Sequence, residues 1–375
     1  MKVYIPKLNS ILDLGLVFLC LNILFIRSRI LILPSLVETS ILVLGLFCLL
    51  FSILLKRYRL STLVIYGIIL LIAIISWALT RESIVLVAIL MILAIRDEPI
   101  DQVIKFIYRI NVLLLSLHTI IYLITVISTG SFSVLEQHGR NRLMLGFGHP
   151  NTFSIYLFSI ILMWVYLNYE YLKYKHIVII FAVSTFSFIL TDTRTSYLLV
   201  IFLCFLLFLL KKKPSLSILI SKINKIIIPI LSVIMVVLGY MWIGGHWVAF
   251  VMDRIILSRI RLGAYALHTW GYTFFGQNIQ DDRYNFTWSP EFGLNWHTFD
   301  NVYTFMLFNL GIVWIIIISI VFYYLANLKI TKINVCLIMW ALYGVTEVHG
   351  LNPAMFFPML LVCFLFQKNK IEVNR

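Results

Sequence analysis

Residues 245–270, GHWVAFVMDRIILSRIRLGAYALHTW, open the one long polar interruption in a chain that is otherwise a series of apolar runs. The interruption continues to about residue 300 without a segment that reaches the roughly 20 apolar residues needed to cross a bilayer. Elsewhere, run after run approaches that length. The sequence therefore predicts an all-α polytopic membrane protein, a single domain over residues 1–375, with one large loop at 245–300 that carries functional residues.

Composition agrees with this class. Hydrophobic residues make up 62% of the 375 positions and charged residues 12%, whereas a soluble chain is about half apolar and about a quarter charged. The net charge of +14 would suggest nucleic acid as the partner of a soluble protein. In a membrane protein it reflects basic residues in short loops on one side, and we expect no nucleic acid. The five cysteines lie inside apolar runs without metal-ligand spacing, so neither a zinc site nor a disulfide framework is indicated. The sequence contains no P-loop and no clustered carboxylates suited to a metal, and we expect neither a metal nor a cofactor.

Twelve apolar runs are candidate spans, of which the first, fourth, eleventh and twelfth are short. They cover residues 11–26, 34–55, 60–79, 83–95, 108–129, 152–169, 175–191, 195–210, 225–244, 301–326, 333–347 and 352–366. Lysines collect in alternate connections and at both termini. Positive residues favour the cytoplasmic side, so we expect cytoplasmic termini, an extracytoplasmic large loop and a location in the cytoplasmic membrane. Arg27 and Arg29 count against this orientation.

The connections on the opposite side contain arginine but no lysine in this topology. These arginines are Arg27, Arg29, Arg81, Arg140, Arg142, Arg194, Arg254, Arg259, Arg261 and Arg283. Topology does not require arginine there, whereas the planar guanidinium fork binds phosphate through two bonds at once. The separation of lysine on one side from arginine on the other therefore indicates a phosphate-bearing ligand on the arginine side. The alternative is that these side chains reach for lipid headgroups or pair with acids of the large loop.

Two outside stretches precede predicted spans. In RNRLMLGFGHPN, residues 140–151, two glycines permit close backbone approach and Pro150 suits the first position of a helix. Arg142, His149 and Asn151 would then border an anion site, unless His149 or Asn151 merely caps the helix. In TDTRTS, residues 191–196, Arg194 would stand at the membrane surface. Asp192 could neutralise it, and Thr195 or Ser196 could cap the next helix.

The large loop contributes the remaining candidates. Between residues 252 and 277, one helical face would carry the polar residues Arg254, Ser258, Arg261, Tyr265 and His268. Such a helix suits the membrane interface, with or without a ligand. Further on, His297 lies near Asp300 and Asn301, and a nearby carboxylate could orient its imidazole as a base. A structural, hydrogen-bonded histidine is the alternative. Glu347, in a short outside connection, is the alternate base.

Taken in order, these motifs resemble the membrane polysaccharide polymerases of the Wzy-dependent pathway, which share a superfamily with O-antigen ligases. The resemblance rests on RNR and GFGHPN between residues 140 and 151, TRTS at 193–196 and SRIRLGAY at 258–265. It also rests on FG at 275–276, HTFDNVY at 297–303, and Glu347 followed by Asn352 and Pro353. It extends from about residue 140 to residue 358, and the first 130 residues match only in hydropathy.

The resemblance implies a GT-C-like, metal-independent glycosyltransferase at the outer face of the cytoplasmic membrane. Such enzymes transfer a growing glycan from undecaprenyl pyrophosphate to the non-reducing end of a lipid-linked repeat unit. Arg194, Arg259 and Arg261 match family arginines expected to bind the donor pyrophosphate, and Arg142 is a weaker match. His297 falls where ligases carry their histidine, whereas Asp300 and Asn301 follow the polymerase pattern and are expected, like Arg254, to bind the substrate.

Two other functions stay open at this stage. An O-antigen ligase would pass the glycan to a different acceptor. A polysaccharide flippase should show repeated halves and broken helices with charges near the midplane, and the sequence shows no such repeat. The expected partners are an undecaprenyl-pyrophosphate-linked oligosaccharide and membrane lipids, together with flippase and chain-length regulator proteins.

Overall fold

The computed structural model describes residues 10–56, 60–137, 139–256, 258–279 and 299–372. Within them the chain is mostly helical, with one two-stranded hairpin. Among these described residues, seven helices are long and apolar enough to cross a membrane, or eight if one bent pair is a single span. The prediction of an all-α, multi-pass membrane protein is therefore confirmed, while twelve spans and a GT-C-like arrangement stay predictions.

The elements have the following bounds. In chain order the α-helices are α1 (Ser10–Arg27), α2 (Ser35–Leu54), α3 (Leu60–Thr80), α4 (Ile84–Ile95), α5 (Ile100–Thr129), α6 (Pro150–Asn168), α7 (Tyr174–Thr191), α8 (Arg194–Lys212), α9 (Leu216–Asn224), α10 (Ile227–Ile243), α11 (Trp247–Ile255), α12 (Arg259–Thr269), α13 (Val302–Thr304), α14 (Ile312–Asn327), α15 (Thr331–Gly344) and α16 (Cys363–Glu372). Strands β1 (Val134–Gln137) and β2 (Arg140–Leu143) lie between α5 and α6 and pair antiparallel. Short 3-10 helices cover Tyr169–Tyr171, Val348–Leu351 and Phe357–Val362, and a π-helical turn covers Phe305–Leu310.

The chain divides into two compact units, each of which is described by itself. Unit 1 comprises Met1–Tyr58, Leu90–Leu216 and Pro353–Arg375, and unit 2 comprises Arg59–Ile89 and Ser217–Asn352. In unit 1 the central helix is α6, since 61% of its most apolar window is buried, the highest share among the candidate spans. Its Ser159 Oγ donates to the carbonyl of Met355 at 2.5 Å, and its Tyr166 hydroxyl to Asp101 at 2.5 Å. These bonds tie the middle and the C-terminal half of α6 to neighbouring segments of unit 1.

Unit 2 contains a broken helix where one continuous span, residues 301–326, was predicted. That prediction was wrong. α13 passes into the π-helical turn, Gly311 adopts φ +100°, and α14 begins at Ile312. The break is stabilised by a segment that is distant in sequence, because the backbone of residues 271–277 packs against it. Gln277 N–H donates to Asn309 O at 2.9 Å, and Ile312 N–H donates to Thr273 O at 3.0 Å.

The polar stretch 252–277 is likewise not one helix, so the prediction that Arg254, Arg261 and His268 share a single helical face was wrong. α11 ends at Ile255, and α12 starts at Arg259 after a turn in which Ser258 has φ +67°. The buried Asp253 closes this turn, since its carboxylate accepts from Arg261 N–H at 2.8 Å and its carbonyl from Ser258 N–H at 2.8 Å. Arg254 therefore lies on a different helix from Arg261.

The last predicted span, residues 352–366, is also not one continuous α-helix. The chain forms the 3-10 helix Phe357–Val362 and only then α16. Pro358 lies in the first turn of that 3-10 helix, and Pro353 precedes it. Proline has no N–H for a helical ladder and restricts the residue before it, so a regular α-helix over the whole run is disfavoured.

Candidate functional site

In unit 1, a short backbone pairing joins the α1–α2 connection to the glycine loop before α6. Arg29 N–H donates to Gly146 O at 2.8 Å, and Gly148 N–H donates to Arg27 O at 3.0 Å. Gly146 has φ +81°, and a Cβ there would lie 3.0 Å from the His118 ring, so glycine is required. The pairing brings Arg27 and Arg29 to the glycine loop, a contact that the sequence did not predict.

Ser28 holds the centre of this pairing. It forms an isolated bridge with Phe147, and its Oγ accepts from the N–H groups of Ile30 and Leu31. The same Oγ lies 3.1 Å from Nε2 of the fully buried His118, whose ring stacks on Phe147 at 4.0 Å. Because Ser28 Oγ already accepts two bonds, its own hydrogen is directed to the histidine. The arginines on either side of Ser28 are therefore presented by an ordered loop.

Arg142 is the buried member of the cluster, with 5% of its surface exposed. Its guanidinium donates to Thr191 O at 3.1 Å, to Asn151 Oδ1 at 2.7 Å and to Thr193 Oγ1 at 3.3 Å. Burial, above all, lowers the pKa of this guanidinium from its usual value. Arg142 thus ties β2 to the α6 N-terminus and the α7–α8 turn, and its donors are engaged by protein oxygens.

Asp192 organises the exposed side of the same end. Its carboxylate lies 2.9 Å from Arg140 Nη1 and 4.0 Å from Arg194 Nε. Asp192 was predicted to neutralise Arg194, but it divides its charge between Arg140 and Arg194. Arg194 keeps 58% of its side-chain surface exposed. α8 begins at Arg194 itself, so neither Thr195 nor Ser196 is its N-cap.

The unit 1 cluster accordingly gathers five arginines at one end of the helices. They are Arg27, Arg29, Arg140, Arg142 and Arg194. Among the described residues of unit 1, the connections 28–34, 130–149 and 192–193 contain no lysine. Arg29 is exposed and forms no ion pair within the described part of the chain. We call these five residues the arginine cluster.

His149 caps α6 beside the arginine cluster. Its Nδ1 accepts from Asn151 N–H at 3.2 Å, which fulfils one of the two capping alternatives. Burial, with a contribution from the charge of Arg142, lowers the pKa of His149 to about 4. The ring is therefore neutral near pH 7 and acts as a hydrogen-bond acceptor.

This cap predicts a loss of stability on mild acidification. The unfolded histidine binds a proton at about pH 6.5, whereas the folded one does so only at about pH 4. Between these values the unfolded state holds more protons, so the free energy of unfolding falls as the pH falls. The melting temperature of purified protein in detergent should therefore drop between about pH 7.5 and about pH 5.

His149→Asn provides the control, because asparagine also caps helices but does not titrate. The variant should lose less of its melting temperature over the same pH interval than the wild type. An identical acid-induced decrease in both proteins would contradict the assignment of this titration to His149.

In unit 2, Arg259 and Glu347 form a buried ion pair. The Arg259 Nη2 and Glu347 Oε1 atoms are 3.7 Å apart, and the two side chains are 7% and 9% exposed. Arg259 also donates to Thr346 O at 2.7 Å and to Ile256 O at 3.0 Å. This arrangement fixes the start of α12 to the connection after α15. Removing one partner would leave a buried charge.

Arg261 lies in the first turn of α12 and is half-buried. Its Nη2 donates to Ser258 Oγ at 3.1 Å, and its backbone N–H donates to Asp253. Burial raises the pKa of Asp253, and hydrogen bonding and charge from Arg261 oppose this rise. Arg254, on α11, is exposed. The two arginines therefore differ in their surroundings. Arg261 is held by hydrogen bonds within an ordered turn, whereas Arg254 is exposed at the surface.

The other predicted residues divide into three groups. Asn301 is 1% exposed and caps α13, accepting from Tyr303 N–H and Thr304 N–H and donating to Val345 O at 2.7 Å. Asp300 is half-buried immediately before it. His297 lies outside the described residues, as do the acids and the arginine of positions 281–283. Among the described residues, no group of three or more His, Cys, Asp or Glu side chains could hold a metal ion.

Comparison with known proteins found no matching family model, no similar curated protein and no similar solved structure.

Proposed function

We propose that this protein is a membrane glycosyltransferase that moves a growing glycan from undecaprenyl pyrophosphate to a lipid-linked repeat unit. It would act at the outer face of the cytoplasmic membrane. The observation that carries the proposal is the arginine cluster, five guanidinium groups at one end of unit 1, where the described connections 28–34, 130–149 and 192–193 contain no lysine.

The cluster separates into a scaffold and a ligand-facing side. Arg142 is bonded to three protein oxygens, so it holds the loops in place. Arg29 and Arg194 are exposed. Among the described residues the only ion-pair partner of Arg194 is Asp192, which lies closer to Arg140. Exposed guanidinium forks on an ordered loop are suited to a diphosphate, which accepts bidentate bonds from more than one arginine.

The donor sugar is already activated, because it is bonded to a pyrophosphate leaving group. Cleavage of the sugar–pyrophosphate bond leaves negative charge on the departing phosphate. Arginines already positioned there stabilise that charge as it develops, and more strongly where water is excluded. The acceptor hydroxyl needs a base, for which His297 is our candidate on sequence grounds. Glu347, ion-paired with Arg259, fits the role of a structural partner better.

A second candidate function follows from the broken helix in unit 2. Helices interrupted inside a span are typical of secondary transporters, where unwound backbone borders the substrate. The π-helical turn and Gly311 form such an interruption. Transport of a lipid-linked glycan is therefore the alternative to its polymerisation.

One experiment separates these functions. Purified protein in proteoliposomes would be given a fluorescent lipid-linked repeat unit as the sole substrate. Polymerisation predicts a ladder of products that differ by one repeat. Movement of the intact label across the bilayer without a ladder would favour transport and refute the proposal. Neither a ladder nor movement, with a product appearing only when a different acceptor is supplied, would favour a ligase and would also refute it.

A further inference from the structure

Unit 1 has a basic depression at the ends of α6, α7 and α8 that lie away from the arginine cluster. Its volume is about 540 Å³, and its lining residues are Glu170, Tyr171, Leu172, Lys173, Lys175, His176 and Lys211. α6 starts beside the arginine cluster and ends beside this depression. A 19-residue helix is roughly 28 Å long, so the depression is a separate site.

The lining is chemically suited to an anion. Three ammonium groups face one carboxylate, and none of the three lysines forms an ion pair in the part of the chain that the structure describes. His176 Nδ1 accepts from Lys173 N–H at 3.0 Å, so the ring proton lies on Nε2, which can donate. Lysine binds phosphate as a mobile point charge. These three lysines therefore favour a negatively charged ligand but do not require one particular geometry of its phosphate.

The surroundings indicate a lipid rather than a soluble anion. Tyr171 is 79% exposed and Tyr174 51% exposed, as expected of tyrosines at the headgroup level of a membrane. From Tyr174, the exposed side chains Val178 and Phe181 continue along one face of α7 at helical spacing. On α8, exposed Phe205 and Phe208 precede Lys211. A basic depression thus adjoins apolar helix surfaces.

We propose that this depression binds the headgroup of an anionic phospholipid. The phosphate lies among Lys173, Lys175 and Lys211, and the acyl chains lie along the exposed faces of α7 and α8. Basic pockets between membrane helices recognise phosphate-bearing headgroups in this way. The inference goes beyond the proposed glycosyltransferase activity and does not depend on it.

The test is retention of cardiolipin by the purified, delipidated protein, measured by native mass spectrometry. Removing three lysine charges, in the Lys173→Gln, Lys175→Gln, Lys211→Gln variant, should weaken cardiolipin retention on the order of 10²-fold. The matched control replaces Lys105, Lys212 and Lys213, which are exposed but do not line the depression. The control should retain cardiolipin nearly as well as the wild type, and phosphatidylcholine should be retained poorly by all three.

Three results would overturn the proposal. They are equal cardiolipin retention by the triple variant and the control, equal retention of phosphatidylcholine and cardiolipin by the wild type, or capture of a soluble acidic peptide with no lipid retained. If the triple variant does not fold, Lys173→Gln and Lys211→Gln are measured singly. Each should then weaken retention about 5-fold, and no weakening in either would contradict the site.

Discussion

A Gly311→Ala variant is expected to lose the folded structure of unit 2. Gly311 has φ +100°, a backbone conformation that residues other than glycine rarely adopt. A Cβ there would also lie 2.5 Å from Phe274 O and 2.5 Å from the carbonyl carbon of Phe275. Both neighbours are backbone atoms of the docked 271–277 segment, so neither can rotate away. Strain and overpacking together should cost about 4 kcal/mol.

Thermal unfolding followed by fluorescence-detected size exclusion measures this effect, and Gly67→Ala is its matched control. Gly67 lies in α3 of the same unit, and a Cβ there would meet no atom within 4 Å. The control should retain or slightly raise the melting temperature, because alanine favours helix over glycine. A Gly311→Ala protein as stable as Gly67→Ala would show that the break in the helix does not depend on this close backbone approach.

The second large effect is expected at Arg194. On the proposed function, Arg194→Ala should lower the rate of glycan transfer on the order of 10²-fold, as removal of one charge-stabilising donor does elsewhere. Arg194→Lys should also be impaired, because a point charge does not reproduce the guanidinium fork. Melting temperatures should stay close to the wild type, since the side chain is 58% exposed. The measurement is the initial rate with lipid-linked repeat units.

Arg109→Ala is the control for this prediction. Arg109 is exposed on α5 and forms no ion pair in the described part of unit 1. It lies in the first half of α5, whose other end leads to the hairpin of the arginine cluster. Its replacement should leave the rate unchanged. Equal losses at Arg109 and Arg194 would indicate a general effect of basic charge and would contradict a specific phosphate contact.

Hydropathy predicted the early helices well because their limits coincide with changes in apolarity. The run 11–26 is observed as Ser10–Arg27, and 195–210 as Arg194–Lys212. The span for α5 was predicted too short, at 108–129, because Asp101, Gln102 and Lys105 interrupt the apolar run without interrupting the helix, which begins at Ile100. The break at Gly311 was not predictable in this way. It depends on backbone bonds from a segment more than thirty residues earlier, and a single glycine in an apolar run is an ambiguous signal.

For the candidate site, topology predicted that residues 140–151 and 191–196 lie at the same end of the helices. The two segments are in contact because the β1–β2 hairpin carries Arg142, whose guanidinium donates a hydrogen bond to Thr191 O. Arg27 and Arg29 were counted among the outside arginines that indicate a phosphate ligand, but they were not assigned to a site because no sequence pattern pairs the α1–α2 connection with the glycine loop. Their position on both sides of Ser28, directly after a span, was the available indication. Asn301 was expected near substrate, but its amide is used within α13 and by Val345.

The central claim is that the arginine cluster holds the diphosphate of a polyprenyl-linked glycan. The most direct measurement is photo-crosslinking in nanodiscs with an undecaprenyl diphosphate analogue that carries a short photoreactive group beside its phosphates, followed by peptide mapping. We expect crosslinks to peptides containing residues 27–31, 140–149 and 192–196, and we expect excess unlabelled undecaprenyl diphosphate to abolish them. Crosslinks confined to the lysine-lined end of α6, α7 and α8, or unaffected by the unlabelled competitor, would contradict this claim.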